Sequence, residues 1–351
     1  VIGTYSLNLI VISFFSAPAI YVLRKSKVEI IVSILILSLP IIFYTYSSFY
    51  KKKFEKINII KNDYVIRVIG SNINLDRFYK DNQANNIIKE LITISSPDQN
   101  KKIFFLWPEG IIPNIYQNEI FLYTDIFNES FSDNHLIGLG ITKKESENNE
   151  YKFYNSFSIF DNKLNLIESY SKIKLVPFGE FLPFEKILNG LGLKTITNNF
   201  GSFAKGSKRD VIEMGNNFLK NLKFLPLICY EIIYSGNLTK NTNFDLIINI
   251  SEDGWFGDSI GPKQHFTHSI YRAIETGKYV LRSSNNGMAA IINPLGEIEK
   301  YIEFGNSGFI DFEEKRVLNK TIFSTHGNKI FMILILLYIF LTFSFNRIRN
   351  E

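Results

Sequence analysis

Three short segments of this sequence carry side chains that could together attack a carbonyl. Cys229 is the sole cysteine among 351 residues. It ends an apolar, strand-like run, Phe224-Leu-Pro-Leu-Ile-Cys229, and Tyr230-Glu231 follow at once. A lone cysteine is ordinarily packing material, but a core strand does not usually continue into a charge. A thiol at a strand-to-helix turn is open to substrate, and a helix beginning near 231 would help lower its pKa. Glu109 lies in Leu106-Trp-Pro-Glu-Gly110, where Pro108 ends a strand. A carboxylate there is either a solvated turn residue or a desolvated general base. Lys172 and Lys174 lie in Ser171-Lys-Ile-Lys-Leu-Val-Pro-Phe-Gly-Glu-Phe-Leu-Pro183. Their alternation along an expected strand points both to one face. Either is a surface lysine or a buried ammonium for an oxyanion. Carboxylate, ammonium and thiol make a complete set: the first takes the thiol proton, the thiolate attacks, and the cation steadies the tetrahedral oxygen.

Such a set needs a scaffold that brings distant strand ends together. Strand-like runs occur at 64–70, 103–107, 136–141, 152–159, 224–229, 244–250, 279–283 and 288–293, with another near 308–312. Helical periodicity appears at 82–95 and 262–277. The order predicts an α/β domain over 57–325, a mixed sheet with helices packed outside.

Membrane contact is written in the composition. Hydrophobic residues make up 46% of the chain and aromatics 15%, with 32 Phe and 18 Tyr. Residues 1–23 and 30–50 are free of charge and separated by the basic turn at 24–27. About 20 such residues cross a hydrocarbon core of roughly 30 Å, so 1–56 is expected to hold two spans, about 1–23 and 28–50. A third, shorter span is expected near 330–345, ahead of Arg347 and Arg349, within a C-terminal segment 326–351. Counting basic residues weighs Arg24, Lys25, Lys27, Arg347 and Arg349 against Lys51, Lys52, Lys53, Lys56 and Lys61. That count alone would put the domain on the cytoplasmic side. The chain opens on Val1, inside an apolar segment, which predicts a piece of a longer protein.

Net charge is +5, from 39 basic and 34 acidic residues spread along the chain, so no nucleic-acid surface is expected. One cysteine cannot form an internal disulfide, and four scattered His with no Cys/His cluster predict neither a metal site nor a cofactor.

Trp107-Pro-Glu-Gly110, the Lys172 segment and Ile228-Cys-Tyr-Glu231, in this order, resemble the three catalytic segments of the nitrilase, or carbon–nitrogen hydrolase, superfamily. Asn249-Ile-Ser-Glu-Asp-Gly-Trp-Phe-Gly257 and its continuation to His265, Arg272-Ala-Ile-Glu275 and Arg282-Ser-Ser-Asn-Asn-Gly287 extend the likeness. They are similar to the apolipoprotein N-acyltransferases, the membrane-bound branch. The resemblance implies a four-layer α-β-β-α sandwich flanked by transmembrane helices. It implies Glu109 as general base, Lys172 as catalytic lysine and Cys229 as nucleophile, supported by Glu180, Tyr230 and Glu231. Lys172 is preferred to Lys174 because the family's lysine stands eight residues before the glutamate matched by Glu180.

The implied reaction is ping-pong transfer of an acyl chain from a phospholipid, through a Cys thioester, to the α-amine of a diacylated lipoprotein precursor. The implied setting is the bacterial inner membrane, multi-pass, with the domain facing the periplasm, and a monomer is expected. Phe78 stands where the family has a tryptophan, Glu252 where it usually has Asn, and the family has more spans ahead of the domain. The apolar stretch 181–193, with Leu188 and Leu191, is expected to form a lipid-facing lip. A membrane-tethered amidase using water as acceptor and a non-catalytic scaffold are the alternatives; three spans argue against the first and the intact set against the second.

Overall fold

The computed structural model describes residues 2–23, 27–80, 83–147, 150–184, 202–215, 219, 221–236, 238–239 and 241–350, the side chains of 147 and 345–350 excepted. Two helices come first, α1 (Thr4–Leu23) and α2 (Lys27–Glu55). The domain then runs β1 (Ile60–Ser71), α3 (Ala84–Ser95), β2 (Ile103–Leu106), α4 (Thr124–Ser130), β3 (His135–Glu147), β4 (Glu150–Asp161) and β5 (Leu166–Ser171). It continues through β6 (Ile212–Glu213), β7 (Lys223–Ile228), β8 (Leu246–Glu252), α5 (Gly261–Thr276), β9 (Tyr279–Asn285), β10 (Ala289–Ile292), β11 (Ile298–Ile302) and β12 (Gly308–Lys315). Helices α6 (Ile322–His326) and α7 (Lys329–Asn350) close the chain.

Both α1 and α2 are long and apolar enough to cross a membrane, with mean hydropathies of 1.9 and 2.3. Their large side chains, among them Phe15, Val22, Ile41 and Tyr44, are exposed, which suits hydrocarbon as solvent. What their apolar stretches bury is small, Ser6, Ser13 and Ala17 on α1 and Ser33 on α2, while Phe54 is buried at the domain end of α2. Small residues let backbones approach where lipid gives no hydrophobic drive. Ser13 Oγ meets Tyr338 OH at 2.6 Å and ties α1 to α7, whose apolar stretch covers 329–344. Pro18 and Pro40 lie inside the helices.

Among the described residues the strands form two six-stranded halves. One holds β12 and β1 to β5, the other β6 to β11; they meet at two pairs only, Gly70 with Ser284 and Ser71 with Asn285. In each half the central strands are parallel (β1, β2, β3 and β7, β8, β9). Side-chain alternation sorts the residues into layers. Ile66, Val68 and Phe104 share one core with Phe224, Ile228, Ile248 and Leu281 of the other half. Phe224 lies 6.3 Å from the ring of Phe104 and 6.3 Å from that of Phe157. The halves therefore stack face to face. Val65, Ile69 and Phe105 face Ile87, Leu91 and Phe127 of α3 and α4 on one outer side. Leu225, Leu227 and Ile247 face Phe266 and Ala273 of α5 on the other. The result is the α-β-β-α sandwich, with the C-terminal ends of parallel strands β2 and β7 left open for ligands.

Candidate active site

Strand β2 ends where Pro108 interrupts the ladder, and Glu109 follows. Trp107 anchors the turn: it is fully buried, its backbone N donates to Gly138 O at 2.8 Å and its Nε1 donates to Ser95 Oγ at 2.9 Å. Strand β3 runs so close alongside that a Cβ at Gly140 would lie 2.4 Å from Glu109 Cα. Glu109 is thereby pressed inward and is 7% exposed. Its Oε1 accepts from Asn155 Nδ2 at 2.7 Å and Lys172 Nζ at 3.3 Å, and its Oε2 from the backbone N of Glu252 at 3.0 Å. It is a desolvated, oriented carboxylate, not a solvated turn residue.

Lys172 does not lie on a strand. The expectation that Lys172 and Lys174 alternate along one is wrong, because β5 stops at Ser171. The reason is Glu231: its Oε1 accepts from Ile173 N and Lys174 N, 3.0 Å each. Two successive N–H groups converging on one carboxylate cannot both serve a sheet ladder, so the chain bends. The two lysines part company there. Lys174 turns to the ring of Tyr234, 5.5 Å away. Lys172 goes inward, 1% exposed, with Nζ 2.9 Å from Glu180 Oε1. Burial opposes its charge, but the Glu109 and Glu180 carboxylates beside it outweigh burial and hold its pKa well above the ordinary lysine value. Lys172 is an ammonium.

Cys229 follows the last residue of β7 and has φ +47°, left-handed backbone that a non-glycine residue adopts only under constraint. The constraint is again Glu231. Its Oε2 accepts from Ile228 N at 3.0 Å, while Tyr170 OH donates to both oxygens at 2.9 Å and Arg209 pairs with Oε1. No long helix follows: residues Cys229–Ile233 form a single 3-10 turn. The expected lowering of the thiol pKa is accordingly reversed. Burial and the Glu109 charge push it well above the ordinary value, Lys172 pulls it down, Asp253 pushes it up and a hydrogen bond with Ser251 pulls it down. The resting thiol keeps its proton and needs a base. Besides Asp253, the ionic groups that bear on it are the same Glu109 and Lys172 that touch each other. Glu109, Lys172 and Cys229, separated by 63 and 57 positions, thus share one buried site.

Residues 79–317 match the model of the carbon-nitrogen hydrolase family, more than half of the chain. The chain belongs to the carbon–nitrogen hydrolase family. It is also similar to proteins named apolipoprotein N-acyltransferase. That of Wigglesworthia glossinidia brevipalpis is 34% identical over 93% of this chain and 62% of its own length. That of Agrobacterium fabrum is 31% identical over 81% and 55%, and that of Rhizobium etli 28% over 89% and 59%. The chain spans about three fifths of the length of these relatives.

Several groups in this carbon–nitrogen hydrolase site lack a local signature in the sequence. Asn155, in the middle of β4, donates to Glu109 Oε1 and Glu180 Oε1, 2.7 Å each. Arg209 reaches Glu231 from an irregular segment. Asp253, fully buried, accepts from Arg282 Nη2 at 2.7 Å and from Ser251 Oγ at 2.7 Å, with His265 Nδ1 at 2.9 Å. Burial opposes its charge, yet Arg282 and His265 hold its pKa well below the usual carboxylate range. Glu252 carries a buried ion pair with Arg77 at 2.5 Å and accepts from Asn285 at 2.7 Å. Phe78 does stack, on Trp255, with centroids 5.5 Å apart and planes at 21°. Tyr230 is half-buried, edge-on to Tyr234 at 6.0 Å. Along the segment that follows Lys172 lies a cavity of about 460 Å³ lined by Ile173, Leu175, Phe181, Leu182 and Phe203 together with the polar Lys174, Ser202 and Lys205. Leu188 and Leu191, expected in a lipid-facing lip, lie outside the described residues. Among the described residues no group of three or more His, Cys, Asp or Glu is placed to hold a metal ion.

Glu231→Gln removes the charge that pairs with Arg209 and leaves one carboxamide oxygen where two carboxylate oxygens serve three backbone N–H groups. The expected loss is about 3–5 kcal/mol of stability, read as a lowered unfolding midpoint. Cys229 reactivity toward a thiol reagent should fall alongside. An unchanged midpoint would show that Glu231 does not hold this turn.

Proposed function

We propose that the chain is the catalytic part of an N-acyltransferase that moves a fatty acyl chain from a phospholipid to the α-amine of a diacylglyceryl-cysteine lipoprotein. The observation that carries the reading is the pairing of a buried Glu109–Lys172–Glu180 cluster beside Cys229 with two apolar spans on the same chain. The names of the relatives and the cavity along the segment after Lys172, lined by Leu175, Phe181, Leu182 and Phe203 with Lys174 and Lys205, support it.

In the first half-reaction Glu109 takes the thiol proton as Cys229 Sγ attacks the ester carbonyl. The tetrahedral oxyanion is steadied by the Lys172 ammonium. Collapse expels the lysophospholipid alkoxide, which takes the proton from Glu109, and leaves an S-acyl enzyme. In the second, the lipoprotein amine attacks the thioester, Glu109 accepts its proton, and Cys229 leaves as the thiolate and is reprotonated. Glu180 holds Lys172, and Glu231 holds the two segments bearing Lys172 and Cys229. Tyr230, on the rim, would meet substrate. No cofactor is needed, and a monomer suffices.

Both substrates sit in a bilayer, which gives a reason for the spans. We place the protein in the bacterial inner membrane as a multi-pass protein, α7 forming the third span, with the domain in the periplasm where lipoprotein precursors arrive. Lys51 to Lys53 at the end of α2 would meet lipid headgroups from that side.

Full-length protein incubated with phospholipid vesicles should gain the mass of one fatty acyl group. The gain should be absent in Cys229→Ser and discharged by a diacylated lipopeptide. Discharge by water alone would favour the amidase reading, and no adduct at all the scaffold reading. Protease added to intact spheroplasts should cleave the domain; full protection would put it in the cytoplasm.

A further inference from the structure

The charges in the site do not balance. Glu109 and Glu180 share one ammonium, both within hydrogen-bond reach of Lys172 Nζ, at 3.3 and 2.9 Å. Two carboxylates and one cation leave one surplus negative charge in a space from which water is nearly excluded: Glu109 is 7%, Glu180 6% and Lys172 1% exposed. Like charges this close resist joint ionisation unless something else solvates them. The two oxygens that face Lys172 are also the two that face Asn155. Its Nδ2 lies 2.7 Å from Glu109 Oε1 and 2.7 Å from Glu180 Oε1. The four atoms form a closed ring in which nitrogen donors alternate with carboxylate acceptors. The amide can be oriented only one way, since a flipped Oδ1 would confront two acceptors.

We propose that Asn155 is a positioning residue of the reaction, whose amide gives one proton to each carboxylate and thereby keeps Glu109 charged and aimed at Cys229. A second lysine there would neutralise the surplus and weaken the base. A carboxamide supplies two donors with no net charge, so the carboxylate pair stays ionised and Glu109 stays able to accept a proton. Lys172, Glu180 and Cys229 are the titratable groups that face Glu109. Arg77 and the side chain of Glu252 pair with each other nearby, and Asp253, paired with Arg282 and His265, bears on Cys229 from behind. None of these supplies the missing donors to the two Oε1 atoms. Backbone amides do serve the other oxygens: Glu252 N reaches Glu109 Oε2 at 3.0 Å and Val176 N reaches Glu180 Oε2 at 2.8 Å. With Asn155 absent, each carboxylate loses a donor on the side where the two repel.

This inference rests on the catalytic reading of Glu109 and Cys229 but not on the identity of the substrate, so its test uses no lipid. Cys229 is the sole cysteine, and the rate of its alkylation by iodoacetamide in the full chain reports the Glu109–Cys229 pair as a coupled unit. The wild-type rate should fall on the acid side as Glu109 protonates, and Glu109→Gln should abolish that limb. Asn155→Ala should move the limb to higher pH by about one unit, the worth of a hydrogen bond to a charged group. Asn155→Asp, of the same shape, should move it further by adding a third carboxylate. Should Asn155→Ala fail to fold, Asn155→Ser, which keeps one donor, should show a smaller shift in the same direction. A lowered rate at every pH with the limb unmoved would mean that Asn155 only fills space, and would overturn the proposal. So would a limb that survives Glu109→Gln.

Discussion

An ammonium held between two carboxylates, away from water, is the constraint on which the rest of this structure depends. Burying three charges costs several kcal/mol per ion, and mutual attraction recovers that only when every remaining donor and acceptor is met. Here they are met by groups from widely separated segments: Asn155 from β4, the backbone of Glu252 at the end of β8, and the backbone of Val176 in the loop after Lys172. The cluster is therefore a reason for the sandwich as much as a product of it. It also sets the state of the thiol, because Glu109 opposes the thiolate and Lys172 favours it. A thiol whose pKa is pushed up, beside a buried carboxylate and ammonium, is what such a balance gives.

Glu231 is the second pivot. One carboxylate ends β5, bends the chain after Lys172, and caps the turn that carries Cys229 in left-handed backbone. The position of the lysine relative to the sulfur is thus fixed through a single side chain, which Arg209 and Tyr170 hold from the far side. Burial and the charge of Glu231 push the Tyr170 phenol up, so it remains a donor throughout the working pH range. At the outer edge of the same turn, Arg272 donates to Ile232 O and Ile233 O, and to Thr4 Oγ1 at the start of α1. The first apolar helix and the turn that carries Cys229 share that one guanidinium.

Much of this was legible in the sequence, and the exceptions have physical causes. Alternation marked the core strands because buried sheets leave no freedom of face, and hydropathy marked α1 and α2 because both carry long apolar stretches with almost no charge. Glu109 and Cys229 could be found as polar residues terminating apolar runs. The choice between Lys172 and Lys174 could not be made by alternation, since the strand that would alternate is ended by a hydrogen bond from 57 residues downstream. Asn155 was invisible for a related reason. An asparagine within a long hairpin has no local mark; its role exists only once β4 lies between the Glu109 turn and the Glu180 loop. The thiol was expected to be acidified by a helix. One turn of 3-10 helix gives little dipole, and burial prevails.

Glu109 and Lys172, in contact with each other, would act on Cys229 as one device. The direct measurement is the burst of nitrophenolate from a short-chain 4-nitrophenyl ester with wild type, Glu109→Gln, Lys172→Met and the double variant, at one pH. Groups that act as a unit are lost together, so the double variant should be no slower than the slower single variant, within about threefold. Losses that multiply would mean that the two residues act independently, and would contradict the shared buried cluster as the source of reactivity.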